Sequence, residues 1–226
     1  MTDDTDVEEQ TEFKFSELSD KAKQKARDTY RGHGPGYDWW DVVYEDAVTV
    51  GALIGIEINQ TIEKNRKDQE YTETSINFSG FWSQGDGCCY SSTLHVEKLK
   101  DCVAALSTHV GKDEELFAIA RRGEEIYEQI TVRLVTARMK GTDTDDEVQL
   151  DGRIKIVGEE RYFRTSVIPD VCPEDLEADL DSYVSSFADW IYSSLEAEHD
   201  HLNSDAVVDE YLDDGDEIYY EDGSAV

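Results

Sequence analysis

The stretch Glu174-Asp-Leu-Glu-Ala-Asp-Leu-Asp-Ser-Tyr-Val-Ser-Ser-Phe-Ala-Asp-Trp-Ile-Tyr-Ser-Ser-Leu-Glu-Ala-Glu-His-Asp-His201 decides how the chain folds. Leu176, Leu180, Tyr183, Phe187, Trp190, Ile191 and Leu195 recur at three- and four-residue steps, so a helix gathers them on one stripe. The other face carries Glu174, Asp175, Glu177, Asp179, Asp181, Asp189, Glu196, Glu198 and Asp200. Pro173 stands at the start, where its missing N–H costs nothing. The acidic first turn suits the positive end of the helix dipole. Glu198 and Asp200 in the last turn do not, despite His199 and His201 beside them. That misfit points to a role for the acid beyond helix stability. No Lys or Arg follows Arg164, and the last 62 residues hold 19 acids against a net charge of −32 for the whole chain.

The rest of the composition frames this helix. The chain has 226 residues, 38% of them hydrophobic, with four Trp, twelve Tyr and seven Phe. That suffices for a core and argues against wholesale disorder. A net charge of −32 far exceeds the roughly 2–8 that keeps a small domain soluble. Such a surface repels nucleic acid and anionic membrane and attracts basic protein surfaces, cations or salt-rich solvent. Met1-Thr-Asp-Asp4 opens an acidic segment unlike a signal peptide, and no run approaches the ~18 apolar residues of a membrane span. The expected location is the cytoplasm. Cys88, Cys89, Cys102 and Cys172 form no CxxC pair and read as reduced thiols.

Working outward, residues 1–12 read as a disordered acidic arm, 13–202 as a single α+β domain, and 203–226 as a short helix with an acidic tail. A helix capped by Ser16 or Ser19 runs to about Arg31, with Leu18, Ala22, Ala26 and Tyr30 on its apolar stripe. Lys21, Lys23, Lys25, Arg27 and Arg31 make it the most basic stretch, and internal pairing with an acidic neighbour, the long helix for example, is the favoured reading of that charge. A second helix spans Tyr37–Ile54. Alternation predicts strands at Ile56–Ile62 and Tyr71–Gly80, joined by a polar loop at 63–70, and a third at about Gly87–His95. Helices at Val96–His109 and Lys112–Gln129 follow, with Leu116, Ile119, Ala120, Tyr127 and Ile130 in the second one's core. Thr131–Met139, Val148–Val157 and Glu160–Val167 read as strands around an acidic loop at 141–147. The expected class is α+β: a mainly antiparallel sheet of about five to six strands packed by helices, with the long amphipathic helix near the C-terminus.

Motifs for chemistry are few. Ser83-Gln-Gly-Asp-Gly87 presents a carboxylate on a turn, and Trp82, Gln84 and Asp86 form a candidate pocket, against the plainer reading of turn chemistry. Nothing basic flanks Cys88 and Cys89 to activate a thiolate, and as strand neighbours they point to opposite faces. Asp143-Thr-Asp-Asp-Glu147 and Asp213-Asp-Gly-Asp-Glu217 lack calcium-loop spacing. His199 and His201 lie about 200° apart on a helix and cannot share a metal. No GxGxxG, P-loop, GxSxG or HExxH occurs, so no catalytic, cofactor or metal residue is assigned.

Acid is the remaining signal. As a phosphate array, 32 charges match at most about 54 Å of duplex. Glu174, Glu177, Asp181, Asp189, Glu196, Asp205, Asp209, Asp213, Asp214, Asp216 and Glu217 are the candidate partner-binding face. The alternative is a solvated or salt-adapted surface, against which Lys slightly outnumbers Arg, 11 to 10.

Phe15-Ser-Glu-Leu-Ser-Asp-Lys-Ala-Lys-Gln-Lys-Ala-Arg27, Tyr37-Asp-Trp-Trp-Asp-Val-Val-Tyr-Glu-Asp-Ala47, Ile76-Asn-Phe-Ser-Gly-Phe-Trp-Ser-Gln-Gly-Asp-Gly-Cys88, Phe187-Ala-Asp-Trp-Ile-Tyr192 and Leu202-Asn-Ser-Asp205 resemble a family of phage and prophage proteins, some labelled antitoxins. The resemblance implies an accessory role against the host and carries over no catalytic residue. The resulting expectation is a non-enzymatic acidic protein of the host-cell cytoplasm. It would bind a basic, nucleic-acid-binding host protein by DNA mimicry, without touching nucleic acid or membrane itself. A small-molecule binder or enzyme with its pocket at 81–90, or an antitoxin occluding a toxin, are the alternatives.

Overall fold

The computed structural model describes residues 11–36, 38–139, 153–157, 160–164 and 174–226. In chain order the elements are α1 (Asp20–His33), α2 (Asp41–Leu53), β1 (Ile56–Ile58), β2 (Gln60–Lys64), β3 (Glu70–Thr74), β4 (Ile76–Ser79), β5 (Gly87–Tyr90), β6 (Ser92–Leu94), α3 (Cys102–Ser107), α4 (Glu114–Met139), β7 (Arg153–Val157), β8 (Glu160–Arg164), α5 (Glu174–Leu202) and α6 (Asp205–Asp214). They fall into two compact units, Trp40–Leu195 and the chain up to Trp39 together with Glu196–Val226.

The larger unit is built on α5. All seven residues of its predicted stripe, Leu176 to Leu195, are buried. Each such side chain contributes roughly 1.5–3 kcal/mol by leaving water. The polar ends of the aromatic residues here are satisfied. The Tyr183 hydroxyl donates to the Ile54 carbonyl at 2.6 Å, Tyr90 to the Val184 carbonyl at 2.8 Å, and the Trp190 indole N–H to Asp113 Oδ2 at 3.0 Å. α2 contributes Val43, Ala47 and Val50 to the core, followed by Ile54. Gly51 lets it approach, because a Cβ there would stand 2.7 Å from the Ile56 carbonyl.

The strands do not form the expected sheet of five to six members. They form four two-stranded antiparallel pairs, β1–β6, β2–β3, β4–β5 and β7–β8. Three of these meet at a junction. Asn59 N–H donates to the Ser91 carbonyl at 2.8 Å, Ser91 N–H to Ser75 at 2.9 Å, and Ser75 N–H to Asn59 at 2.9 Å. Each predicted strand therefore changes partner halfway. Ile56–Ile62 divides at Asn59, Tyr71–Gly80 at Ser75, and Gly87–His95 at Ser91. Alternation is a property of one strand and cannot register which neighbour that strand pairs with. The three arms differ in burial: β1 and β6 bury Ile56, Ile58, Ser92 and Leu94, whereas β2 is exposed throughout.

Thr131–Met139, expected as a strand, is the continuation of α4. Ile126 and Ile130 are buried four residues apart, and no Gly or Pro interrupts the chain between Glu124 and Met139. Helical period thus outweighs the β-branched residues. Ile126 also takes the core place expected for Tyr127, which is only half-buried. Val96–Asp101 winds as a 3₁₀ helix before the short α3, in place of one helix to His109. The acidic loop 141–147, Cys172, Pro173 and most of the arm 1–12 lie outside the described residues.

In the smaller unit Ser19 caps α1, its Oγ accepting the Ala22 N–H. Phe15, Leu18, Ala22 and Ala26 pack with Val208, Leu212 and Tyr219 in one apolar cluster. Phe13 and Tyr219 exchange backbone hydrogen bonds at 2.9 Å each, so the tail adds an isolated bridge, and a second joins Tyr219 to Ala225. Gly223, at φ +84°, lies so close that a Cβ would come within 2.1 Å of the Ala22 carbonyl.

Candidate acidic binding face

The acids of 205–222 divide between two uses. Asp205 and Asp209, one turn apart on α6, face the basic α1. Arg27 forks onto Asp209, with Nε to Oδ1 and Nη2 to Oδ2 both at 2.6 Å, and reaches Asp205 at 3.9 Å. Arg31 pairs with Asp205 and donates from Nε to the Asn203 carbonyl at 2.9 Å. Lys25 reaches Asp222 at 2.6 Å. The hydrogen bond from Arg27 holds the Asp209 carboxyl below the usual carboxylate range, and that from Lys25 does the same for Asp222. The basic helix is therefore paired internally, as expected, but with α6 and the tail.

The outward side of α6 is different. Val207, Glu210, Tyr211, Leu212 and Asp214 line a groove with Gly215, Asp216 and Glu217, of about 550 Å³. Four acidic residues and the apolar Val207, Tyr211 and Leu212 line it, and no Lys or Arg does. Tyr211 is 58% exposed, its ring propped against Tyr30 at 4.8 Å between centroids. Among the described residues Glu210, Asp214, Asp216 and Glu217 make no ion pair, although Glu217 accepts the Tyr219 hydroxyl at 2.8 Å. At 100° per residue Glu210 and Asp214 share a side, turned away from that of Asp205 and Asp209.

The predicted face is thus redistributed. Asp214, Asp216 and Glu217 come together in the groove. Asp205 and Asp209 are taken by arginines, and Asp213 is exposed but not among the lining residues. Asp181 and Asp189 belong to the larger unit and Glu196 to the smaller one. The side chains of Glu174 and Glu177 lie outside the described residues. Asp179 is engaged by Arg122 and by Gln129, the latter at 3.2 Å.

At the candidate pocket, Asp86 Oδ2 accepts the N–H groups of Trp82 at 2.9 Å and Ser83 at 2.6 Å. The carboxylate closes its own loop, and Gly80 at φ +33° leaves room for it. Trp82 is 78% exposed and edges onto Phe81 at 6.0 Å, while Gln84 is exposed. Cys88 is buried and Cys89 half-buried, as alternation requires. Burial pushes the Cys88 thiol up to about 12, the opposite of an activated nucleophile. Among the described residues no cluster of three or more His, Cys, Asp or Glu could hold a metal ion.

Glu210, Tyr211 and Val207 were not singled out from the sequence. The helical wheel of α6 carries the signal, since it separates the 205/209 row from the 210/214 row. Residues 39–205 match the model of a family described as a domain of unknown function, DUF8835, leaving the groove residues 207–217 beyond the matched span. No curated protein and no solved structure matches the chain.

Proposed function

The chain belongs to the DUF8835 family, and we propose that it is an acidic binding protein whose α6 groove receives a cationic segment of a protein partner. One observation carries the reading: a groove of about 550 Å³ lined by four acidic residues together with Tyr211 and Val207, with no base among its lining residues. An Arg or Lys side chain suits this arrangement on both counts. Its stem lies on apolar surface while its head meets carboxylate. The narrower form of the proposal is imitation of a DNA phosphate array, which would direct the groove to a nucleic-acid-binding partner. That array excludes Asp205 and Asp209, because α1 holds them.

The test is fluorescence anisotropy with a labelled Arg/Lys peptide and, separately, a DNA-binding protein domain. Saturable binding that weakens as salt rises and is lost in E210K/D214K supports the proposal. Binding indifferent to those substitutions refutes it.

A second reading is favoured by the acids exposed away from the groove, Glu45 and Asp46 on α2 and Glu63, Glu70 and Glu73 on the β2–β3 hairpin. In that reading the acid is a hydrated coat suited to concentrated salt. A melting temperature that climbs steadily into molar KCl, together with no peptide binding, would select it.

A further inference from the structure

Arg66 and Lys67 put two cations at the tip of the β2–β3 hairpin, whose strands carry Glu63, Glu70 and Glu73. Residues 60–73 are all exposed. Its turn is firmly made: Asn65 Oδ1 accepts the N–H groups of Lys67 at 2.9 Å and Gln69 at 3.0 Å, and Asp68 N–H donates to the Asn65 carbonyl at 2.9 Å. Asp68 adopts φ +60°, which its short polar side chain tolerates. Lys64 is paired with Asp68 at 3.2 Å and Glu70 at 3.8 Å. Arg66 and Lys67, at the tip, make no ion pair among the described residues. In a chain with 53 acids and 21 bases, two adjacent cations on a well-formed turn stand out.

We propose that Arg66 and Lys67 of one copy seat in the acidic groove of a second copy. This rests on the groove's being a site for cationic segments. Charge complementarity selects the occupant: the groove offers Glu210, Asp214, Asp216 and Glu217, and the tip offers Arg66 and Lys67, unpaired among the described residues. Tip and groove are different surfaces, so the contact is heterologous and leaves one of each free on every pair, to be closed in a ring or extended. A turn in a groove covers less than the ~1,200 Å² of the smallest standard interfaces, so association is weak and reversible. Two bodies of −32 also repel each other. At about 0.15 M salt the Debye length is about 8 Å, which screens that repulsion while pairs in contact persist.

Sedimentation velocity on the full chain tests this with complementary variants. R66E/K67E removes the tip and keeps the groove; E210K/D214K does the reverse. Asp214→Lys falls in the last turn of α6, where a cation suits the helix dipole. Circular dichroism melts confirm that each variant is folded, and R66Q/K67Q with E210Q/D214N serve as milder pairs. At about 0.15 M salt the weight-average mass of the wild type should rise with concentration, and each variant alone should hold the monomer mass. The equimolar mixture of the neutral variants, R66Q/K67Q with E210Q/D214N, should regain mass and stop at a dimer, because only one charged tip and one intact groove remain. A mixture that stays monomeric, or a tip variant that associates like the wild type, overturns the proposal. Binding of a labelled Arg/Lys peptide separates the two readings: peptide binding by a chain that never self-associates leaves the groove's function standing and removes this inference alone.

Discussion

α5 and α6 are consecutive helices held by different forces. Through Leu195, α5 is fixed by a stripe of nine buried residues from Leu176 on. α6 buries only Val208 and Leu212, and is clasped to α1 by Arg27 and Arg31. Apolar burial is insensitive to modest salt and to pH, whereas ion pairs are screened by one and neutralised by the other. The two helices should therefore fail under different conditions, and the acids of α6 serve both stability and binding.

The largest expected effect is on α5. Phe187, fully buried and stacked on Trp190, should cost about 3–5 kcal/mol as Phe187→Ala, read by chemical denaturation. That loss should be nearly the same at low and high salt. Arg27→Met, which keeps the stem and removes the fork, should cost about 1–2 kcal/mol. It should speed hydrogen exchange in α6 while leaving α5 between Leu176 and Leu195 unchanged. Equal loss of protection in both would erase the distinction between the helices. Ser204→Ala, which removes the N-cap contact to the Val207 N–H, should cost about 1 kcal/mol, again confined to α6.

Acid sharpens the contrast. Asp209 and Asp222 have folded-state pKa values below those of the unfolded chain. Their contribution is complete above the unfolded carboxylate value of about 3.9 and is lost as pH falls through the lower folded values. Protection of the α6 amides, taken relative to the intrinsic exchange rate at each pH, should therefore fall below about pH 4, ahead of that of α5 from Leu176 to Leu195. The smallest effect is that of Asp214→Lys, worth a few tenths of a kcal/mol in favour of the fold through the helix dipole, while weakening peptide binding.

What could be read in advance follows the same division. The stripe of α5 is a 3.6-residue period over many turns, and all seven of its predicted positions are buried. For α1 the cap was readable as one of two serines, Ser16 or Ser19, and it is Ser19, whose oxygen stands immediately before the helix. The sheet was not readable, because Asn59, Ser75 and Ser91 exchange partners through backbone groups that leave no mark on side-chain alternation. The extension of α4 was hidden by Thr131, Val132, Val135 and Thr136, whose β propensity yields to the continuing helix. The acidic face was visible as charge but not as geometry: Asp209 and Glu210 are neighbours in sequence, one held by Arg27 and the other lining the groove.

The most direct measurement is the affinity of a short Arg/Lys peptide for the wild type and for E210K/D214K between about 0.05 and 0.5 M salt, spanning Debye lengths from roughly 14 to 4 Å. If the acidic groove is the binding site, the peptide binds the wild type saturably and one-to-one, with an affinity that weakens by about tenfold or more across that range and disappears in the variant, while Arg27→Met still binds. Affinity that is flat with salt, or retained when Glu210 and Asp214 are reversed, would contradict it.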